Sequence, residues 1–345
     1  MNLKKSLIIA LVLSIVSLTL WEIYWRSKGK YPDINDDKEL WAVQRAKLKT
    51  MDQSDFVIVG SSRVLFGIQL DVWENEVGRR PLMLASPGSS PLPVFRDIVE
   101  NTDFSGTVIV GVTEGLFFST TFPQAPPWKR AQSKVDHYHS RTFAQRLNHW
   151  SGLPLEKNFA FVSISEEQWY DDIDLRSLLR RIRIGNRTGA YPKPPFRNFS
   201  HVAVDRNVRM SEKTATDTAF ANSIIRVWKF FGENAPPPDK KSTMAFFLED
   251  AAKFQARGGN LILVKCPSSG GLRAAENMYF PRNEFWDELV FQSKAKGYHF
   301  EDYDQLNRFE CPEWSHLSAP DAEIFTQELS RILVSDGAIT KHKNN

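Results

Sequence analysis

Five short apolar runs constrain the fold of this 345-residue chain more than any other feature: Phe56–Val59, Leu82–Ala85, Thr107–Val112, Asn260–Lys265 and Tyr298–Tyr303. The first, third and fourth are apolar almost throughout, without the alternation of a strand that has one wet face. Such runs belong to strands buried on both sides. Helical patterns lie between and after them, over Pro91–Asn101, Thr243–Arg257, Asn283–Lys296 and Pro320–Ile332, and the segment ARGGN at 256–260 stops one helix just before the fourth run. Strands alternating with helices predict an α/β fold, a three-layer α/β/α arrangement around a five-stranded parallel sheet.

The stretch from Phe117 to Lys241 breaks that rhythm. It contains PQAPPW, YPKPPF and NAPPPDKK, with helical patches at Glu166–Ile184 and Ala215–Phe231. It reads as a largely helical insertion or cap between the third and fourth strands. The expected organisation is then a cytoplasmic N-terminus (1–5), a transmembrane anchor (6–25) and a juxtamembrane segment (26–52) with a helix over Asp36–Met51. The sheet domain follows in two parts (53–116 and 242–335) around the insertion (117–241), and a tail (336–345) is expected to be disordered.

The anchor is read from MNLKKSLIIALVLSIVSLTLWEIYWRSKGK. Lys4 and Lys5 precede an uncharged run from Ser6 to Trp21. Continued to Trp25, about 20 helical residues span ~30 Å, the depth of a hydrocarbon core. A cleaved signal peptide is the main alternative, but no small-x-small site follows. Trp21, Tyr24 and Trp25 suit an interfacial belt, and the short cationic N-terminus favours an inside orientation. The expected location is the cytoplasmic membrane, with the main domain on the periplasmic or extracellular side. Net charge is only +3 and no basic stripe interleaves with aromatics, so nucleic acid is not an expected partner.

In an open parallel sheet, ligands bind beyond the carboxyl ends of the strands. The first strand ends on Gly60-Ser61-Ser62, the second on ASPGSSP (85–91), the third on GVTEG (111–115), the fourth on KCPSSGG (265–271), and CPEWSHLSAPDAEIF (311–325) follows the fifth. A serine nucleophile needs a base within reach and an acid to orient it. Of the seven histidines, His137, His139, His149 and His201 fall in the insertion and His299 inside the fifth strand; His316 falls on a rim loop, three residues after Glu313. Taken alone, that spacing reads first as a turn leading into a helix. Arg63 either binds an anionic group of a substrate or pairs with an acid, and Ser268 and Ser269 either line the cleft or form a polar turn. Cys266 and Cys311 sit near strand ends at one edge of the site, close enough in the expected fold for a disulfide, with two ordinary buried thiols as the alternative. No metal is expected at His137-Tyr-His139, nor any cofactor.

Together, GSSR, SPGSS, GVTE and EWSH resemble, in chain order, the sequence blocks of the SGNH (GDSL-like) hydrolases and acyltransferases. The resemblance covers about Asp52–Glu114 and Asn260–Leu333, and implies a flavodoxin-like sheet. It puts Ser62 in the nucleophile's position, His316 in the base's and Glu313 in that of the orienting acid, with an oxyanion site from Ser62, Gly88 and Thr113. Three departures stand out: Ser61 where the family often has aspartate, Thr113 for its oxyanion asparagine, and Glu313 for aspartate. Members anchored at bacterial surfaces imply an esterase or O-acetyltransferase acting on a carbohydrate or other acyl ester. A multi-span membrane acyltransferase is the partner so implied. The alternative is a degenerate site that only binds or assembles polysaccharide.

Overall fold

The computed structural model describes residues 3–121, 125–162, 194–233, 235 and 237–342. Its centre is a fully parallel sheet of β1 (Phe56–Val59), β2 (Leu82–Met83), β3 (Thr107–Gly111), β4 (Asn260–Lys265) and β5 (Lys296–His299), in spatial order β2-β1-β3-β4-β5. Within the central pairs the register is continuous: Val57 opposes Val108, which opposes Leu261. Alternate residues feed two separate cores. Phe56, Ile58, Ile109 and Ile262 join one, and Val57, Val59, Val108 and Leu263 the other. A core on each face is why these strands read as unbroken apolar runs.

The longer helices, in chain order, are α1 (Leu3–Ser27), α2 (Lys38–Ala46), α3 (Ser62–Gly67), α4 (Leu70–Val77), α5 (Leu92–Asn101), α6 (Pro126–Ser140), α7 (Phe143–Asn158), α8 (Thr218–Glu233), α9 (Lys240–Ala256), α10 (Gly270–Tyr279), α11 (Arg282–Ser293) and α12 (Ala319–Ser335). Residues of α3, α4 and α12 cover the first core, and those of α5, α9 and α11 the second. The apolar α1 has no buried residue and is long enough to cross a membrane.

Several expectations need correction. The last strand is not Tyr298–Tyr303: it runs from Lys296 to His299, where pairing with β4 ends, and a 3-10 turn over Phe300–Asp302 follows. His299 Nδ1 accepts the Glu301 N–H at 3.2 Å and so caps that turn. The expected helix at Asp36–Met51 begins later, because the Asp37 carboxylate caps it by accepting the Leu40 N–H at 2.7 Å, and it ends in a 3-10 turn. The helix expected over Ala215–Phe231 is interrupted at Asp217, whose side chain accepts the Phe220 N–H at 3.0 Å. The patch Glu166–Ile184 lies outside the described residues. Residues 336–342 of the expected tail are ordered: Ala338 and Ile339 are buried, and the His342 N–H donates to the Val77 carbonyl at 2.7 Å; residues 343–345 lie outside the described residues.

The insertion also holds an antiparallel hairpin, Ser200–Val202 with Val208–Met210, that the sequence reading missed. Its loop carries Arg206, fully buried, which stitches the insertion to the sheet edge. Arg206 donates to the carbonyls of Met83 at 3.0 Å and Ala85 at 2.8 Å, and to the Asp36 carboxylate at 2.7 Å. Edge-strand carbonyls that would otherwise invite another chain are thus capped by a side chain. Burial alone would raise the Asp36 pKa, but Arg206 and Lys134 hold it down at about 2.

Replacing Arg206 with methionine strands a buried carboxylate, and should cost about 3–5 kcal/mol of stability in denaturant titrations of the detergent-solubilised chain. The folded pKa of Asp36 lies below its unfolded value, so its stabilisation is complete above about pH 4 and is lost as pH falls toward 2. Asp36→Asn should therefore flatten the acid limb of the stability–pH curve.

Candidate active site

The turn after β1 is shaped by what it must clear. Gly60 has φ +153°, and a Cβ there would lie 2.6 Å from Val64 Cγ2 and 3.1 Å from Gly111 Cα. Only a bare backbone lets α3 start directly at the strand end, with Val64 packed over both glycines. Ser61 then caps α3: its Oγ accepts the Arg63 N–H at 3.4 Å and shares a hydrogen bond of 2.6 Å with Thr113 Oγ1. Ser61 is buried and engaged; Ser62, the first residue of α3, is partly exposed. Of the two hydroxyls, Ser62 is the one open to a reactant.

Thr113 follows β3, so the Ser61–Thr113 bond joins the ends of β1 and β3. The strand order reverses between these two strands, the place where such sheets take ligands. The loop after β2 closes on the same spot, the Ser86 N–H donating to the Gly60 carbonyl at 3.0 Å. Gly88 lies two residues further on, its carbonyl held by Arg130 at 3.0 Å.

His316 arrives from the other end of the chain. Glu313 is completely buried and takes three donors: Oε1 accepts the His316 backbone N–H at 2.6 Å and its ring Nδ1–H at 2.8 Å, and Oε2 accepts the Trp228 indole N–H. A carboxylate at Nδ1 places the imidazole proton there, which leaves Nε2 as the free base. His316 is 2% exposed, yet among the described residues Nε2 has no hydrogen-bond partner. The ring packs against Phe66 at 4.5 Å, Phe199 at 5.6 Å and Trp228 at 5.7 Å between centroids. Phe66 is four residues after Ser62 on α3, one turn up the same face, where Cβ atoms are ~5–6 Å apart. The imidazole thus packs on the side chain one turn along α3 from Ser62, and among the described residues its Nε2 makes no hydrogen bond to that serine.

Between Glu313 and His316 the backbone is forced. Trp314 has φ +76°, uncommon for so bulky a residue, and its ring lies against Gly270, where a Cβ would come within 2.3 Å of Nε1. The glycine after β4 thus makes room for the turn that aims His316.

The remaining expected site residues are internal. Arg63 donates to Glu276 through both terminal nitrogens, one at 3.1 Å, and the Ser268 hydroxyl donates to the same carboxylate at 2.8 Å. Lys265 pairs with Glu114 and lies 3.9 Å from Glu276. Two cations and two carboxylates, all buried, tie together the ends of β1, β3 and β4. Burial opposes the charge on Arg63, but Glu276 outweighs it and raises the pKa; burial would raise Glu276, but Arg63, Lys265 and Ser268 bring it down. Ser269 Oγ accepts the Cys311 N–H at 2.8 Å. These three expected substrate contacts are fixed in the fold, and Arg63 takes the pairing alternative.

Of the two alternatives for the cysteines, the structure has the free thiols and not the disulfide. Cys266 and Cys311 are buried free thiols; Cys266 lies against Gly67, and Cys311 Sγ donates to the Pro267 carbonyl at 3.6 Å. Burial pushes the Cys266 pKa up to about 12 and that of Cys311 upward too. His137 and His139 each meet one carboxylate, Glu39 at 2.7 Å and Asp97 at 2.6 Å. Among the described residues no cluster of three or more His, Cys, Asp or Glu is placed to hold a metal. Burial and nearby cations hold His299 neutral, its pKa about 2.

Sequence reasoning missed Trp228, which comes from the insertion and completes the shell of Glu313. It also missed the Glu114–Lys265 pair, although a lysine closing the run NLILVK was a visible sign of a buried partner.

No model of a known protein family matches the chain. No curated sequence is significantly similar to it.

Trp228→Phe leaves one buried carboxylate oxygen without its donor and should cost about 1–3 kcal/mol, read by denaturant melts. Both cysteines should resist alkylation in the native chain at pH 8, and both should react once it is unfolded without reductant; no adduct at either would mean a bridge.

Proposed function

We propose that this protein is a membrane-anchored serine esterase or O-acyltransferase of the SGNH type, with a three-layer α/β/α domain held outside the cytoplasmic membrane by α1. The observation that carries this reading is the unpartnered Nε2 of buried His316, backed by Glu313 and packed on Phe66, which lies one helical turn from Ser62. Burying an imidazole nitrogen without a partner costs free energy, and sites that need a base retain such groups.

In this reading Ser62 Oγ attacks the acyl carbonyl while His316 Nε2 takes its proton. Glu313 keeps the proton on Nδ1 and stabilises the imidazolium. The oxyanion accepts the N–H groups of Ser62 and Gly88, with the Thr113 hydroxyl beside them. Collapse expels the alcohol, which takes the proton back from His316 and leaves an acyl-serine. Water or a sugar hydroxyl then attacks the acyl-serine, His316 removing its proton and returning it to Ser62. A surface carbohydrate carrying acetyl groups is the substrate class the motif resemblance favours, with a multi-span acyltransferase as donor-side partner.

A degenerate, binding-only site is the second reading. Its support is the missing Ser62–His316 hydrogen bond, together with Ser61 and Thr113 in place of the family's aspartate and asparagine. Catalytic hydrogen bonds are commonly loose in the absence of substrate, which is why the enzymatic reading is preferred.

A fluorophosphonate probe should label the folded chain at Ser62, and Ser62→Ala should abolish labelling while Ser61→Ala retains it. Glu313→Gln should lower ester turnover by about 10⁴-fold. Folded wild-type protein that takes no label would move the assignment to the binding reading.

A further inference from the structure

Helix α7 is amphipathic in the wrong sense for a helix of a water-surrounded domain. Phe143, Leu147, Trp150 and Pro154 recur at the three- and four-residue spacing of one helical face. That face is bare: Phe143 is 71% exposed, Leu147 48% and Trp150 75%. The residues that α7 turns toward the body are His149, Gly152, Leu153 and Glu156, which are only partly exposed. At ~100° per residue the two sets are centred about 140° apart around the axis. A helix on a soluble surface buries its apolar stripe and shows its polar one. Here the greasy side faces away, and a row of large apolar side chains of this kind marks an interaction surface.

The position of α7 says what covers that surface. Its last turn is bonded to the end of α1: Arg26 donates to the Asn158 carbonyl at 3.1 Å, and Glu22 accepts the N–H groups of Ala160 at 2.9 Å and Phe161 at 3.2 Å. That end of α1 carries Trp21, Tyr24 and Trp25 in mutual ring contact, residue types that favour the lipid–water boundary. Arg146 and Lys157 border the apolar stripe on one side, where their charges reach phosphate while their stems lie along the apolar surface.

We infer that α7 lies in the interface of the leaflet from which α1 emerges, with Phe143, Leu147 and Trp150 inserted among the acyl chains of an anionic phospholipid surface and Arg146 and Lys157 at the headgroups. Sixteen residues give a contact of ~24 Å, a second attachment that fixes how the domain sits on the membrane. The inference rests on α1 being a membrane span.

The test uses the full chain in vesicles of phosphatidylethanolamine and phosphatidylglycerol, spin-labelled one position at a time through Leu147→Cys, Trp150→Cys, Asn148→Cys and Val12→Cys. Cys266 and Cys311 are buried and do not compete for label. The expected result is that labels at 147 and 150 collide with oxygen several-fold more, relative to a water-soluble nickel chelate, than the label at 148. Labels at 147 and 150 that behave like 148, with the label at 12 deep in lipid, overturn the inference and leave the anchor intact. Labels at 147 and 150 shielded from both reagents overturn it in favour of a protein partner. A label at 12 open to the nickel chelate removes the anchor reading and this inference with it.

Discussion

The Arg206 guanidinium is the contact on which the assembly of this chain leans. Three segments far apart in sequence meet there: Asp36 before α2, the carbonyls of Met83 at the end of β2 and of Ala85 just after it, and the hairpin loop that bears Arg206. A lone buried cation is costly; it is tolerable here because each donor that reaches a partner meets a carboxylate or an orphaned carbonyl. The hairpin adds further ties in the same region, with Gln69 donating to the Val208 carbonyl at 2.9 Å and the Leu70 N–H to Asn207 at 3.0 Å. The insertion is therefore part of the domain it interrupts. Trp228 can reach Glu313 from within the insertion because the two are built as one body.

A similar economy governs the carboxyl edge of the sheet. Hydroxyls and charges there are mostly paired with each other: Ser61 with Thr113, Arg63 with Glu276, Lys265 with Glu114. Each pairing draws neighbouring strand ends together and removes a group from contact with solvent. Against this background Nε2 of His316 stands apart among the described residues as a buried ring nitrogen with no partner (Ser86 Oγ and Glu114 Oε2 are likewise buried and unpartnered), and the Ser62 hydroxyl as a partly exposed one. Polar atoms that a tightly paired region leaves open are where chemistry has room to occur.

The positions of β1, β3 and β4 were legible because burial on both faces makes a strand apolar at every residue, a signal that needs no tertiary knowledge. The juxtaposition of Glu313 and His316 was legible for a related reason, since a three-residue spacing fixes geometry locally. Arg63 was ambiguous in sequence because its partner, Glu276, lies more than two hundred residues away and nothing local marks it. The hairpin at Ser200–Met210 was hidden by its shortness: three residues a side carry too little periodicity to register. The end of β5 was misplaced because Phe300 and Tyr303 have strand-like side chains, whereas the backbone follows the cap made by His299.

The stretch joining α1 to α2 is held along its length. Ten residues, 28–37, would reach at most ~35 Å if fully drawn out, but they are not free to do so. Asp33 accepts the Val202 N–H at 3.1 Å, the Asn35 N–H donates to Glu156 at 3.1 Å, and Asp36 is clamped by Arg206. A tether with its slack taken up holds its load at one height. Pinned at three points, the segment sets the separation between the end of α1 and the sheet domain.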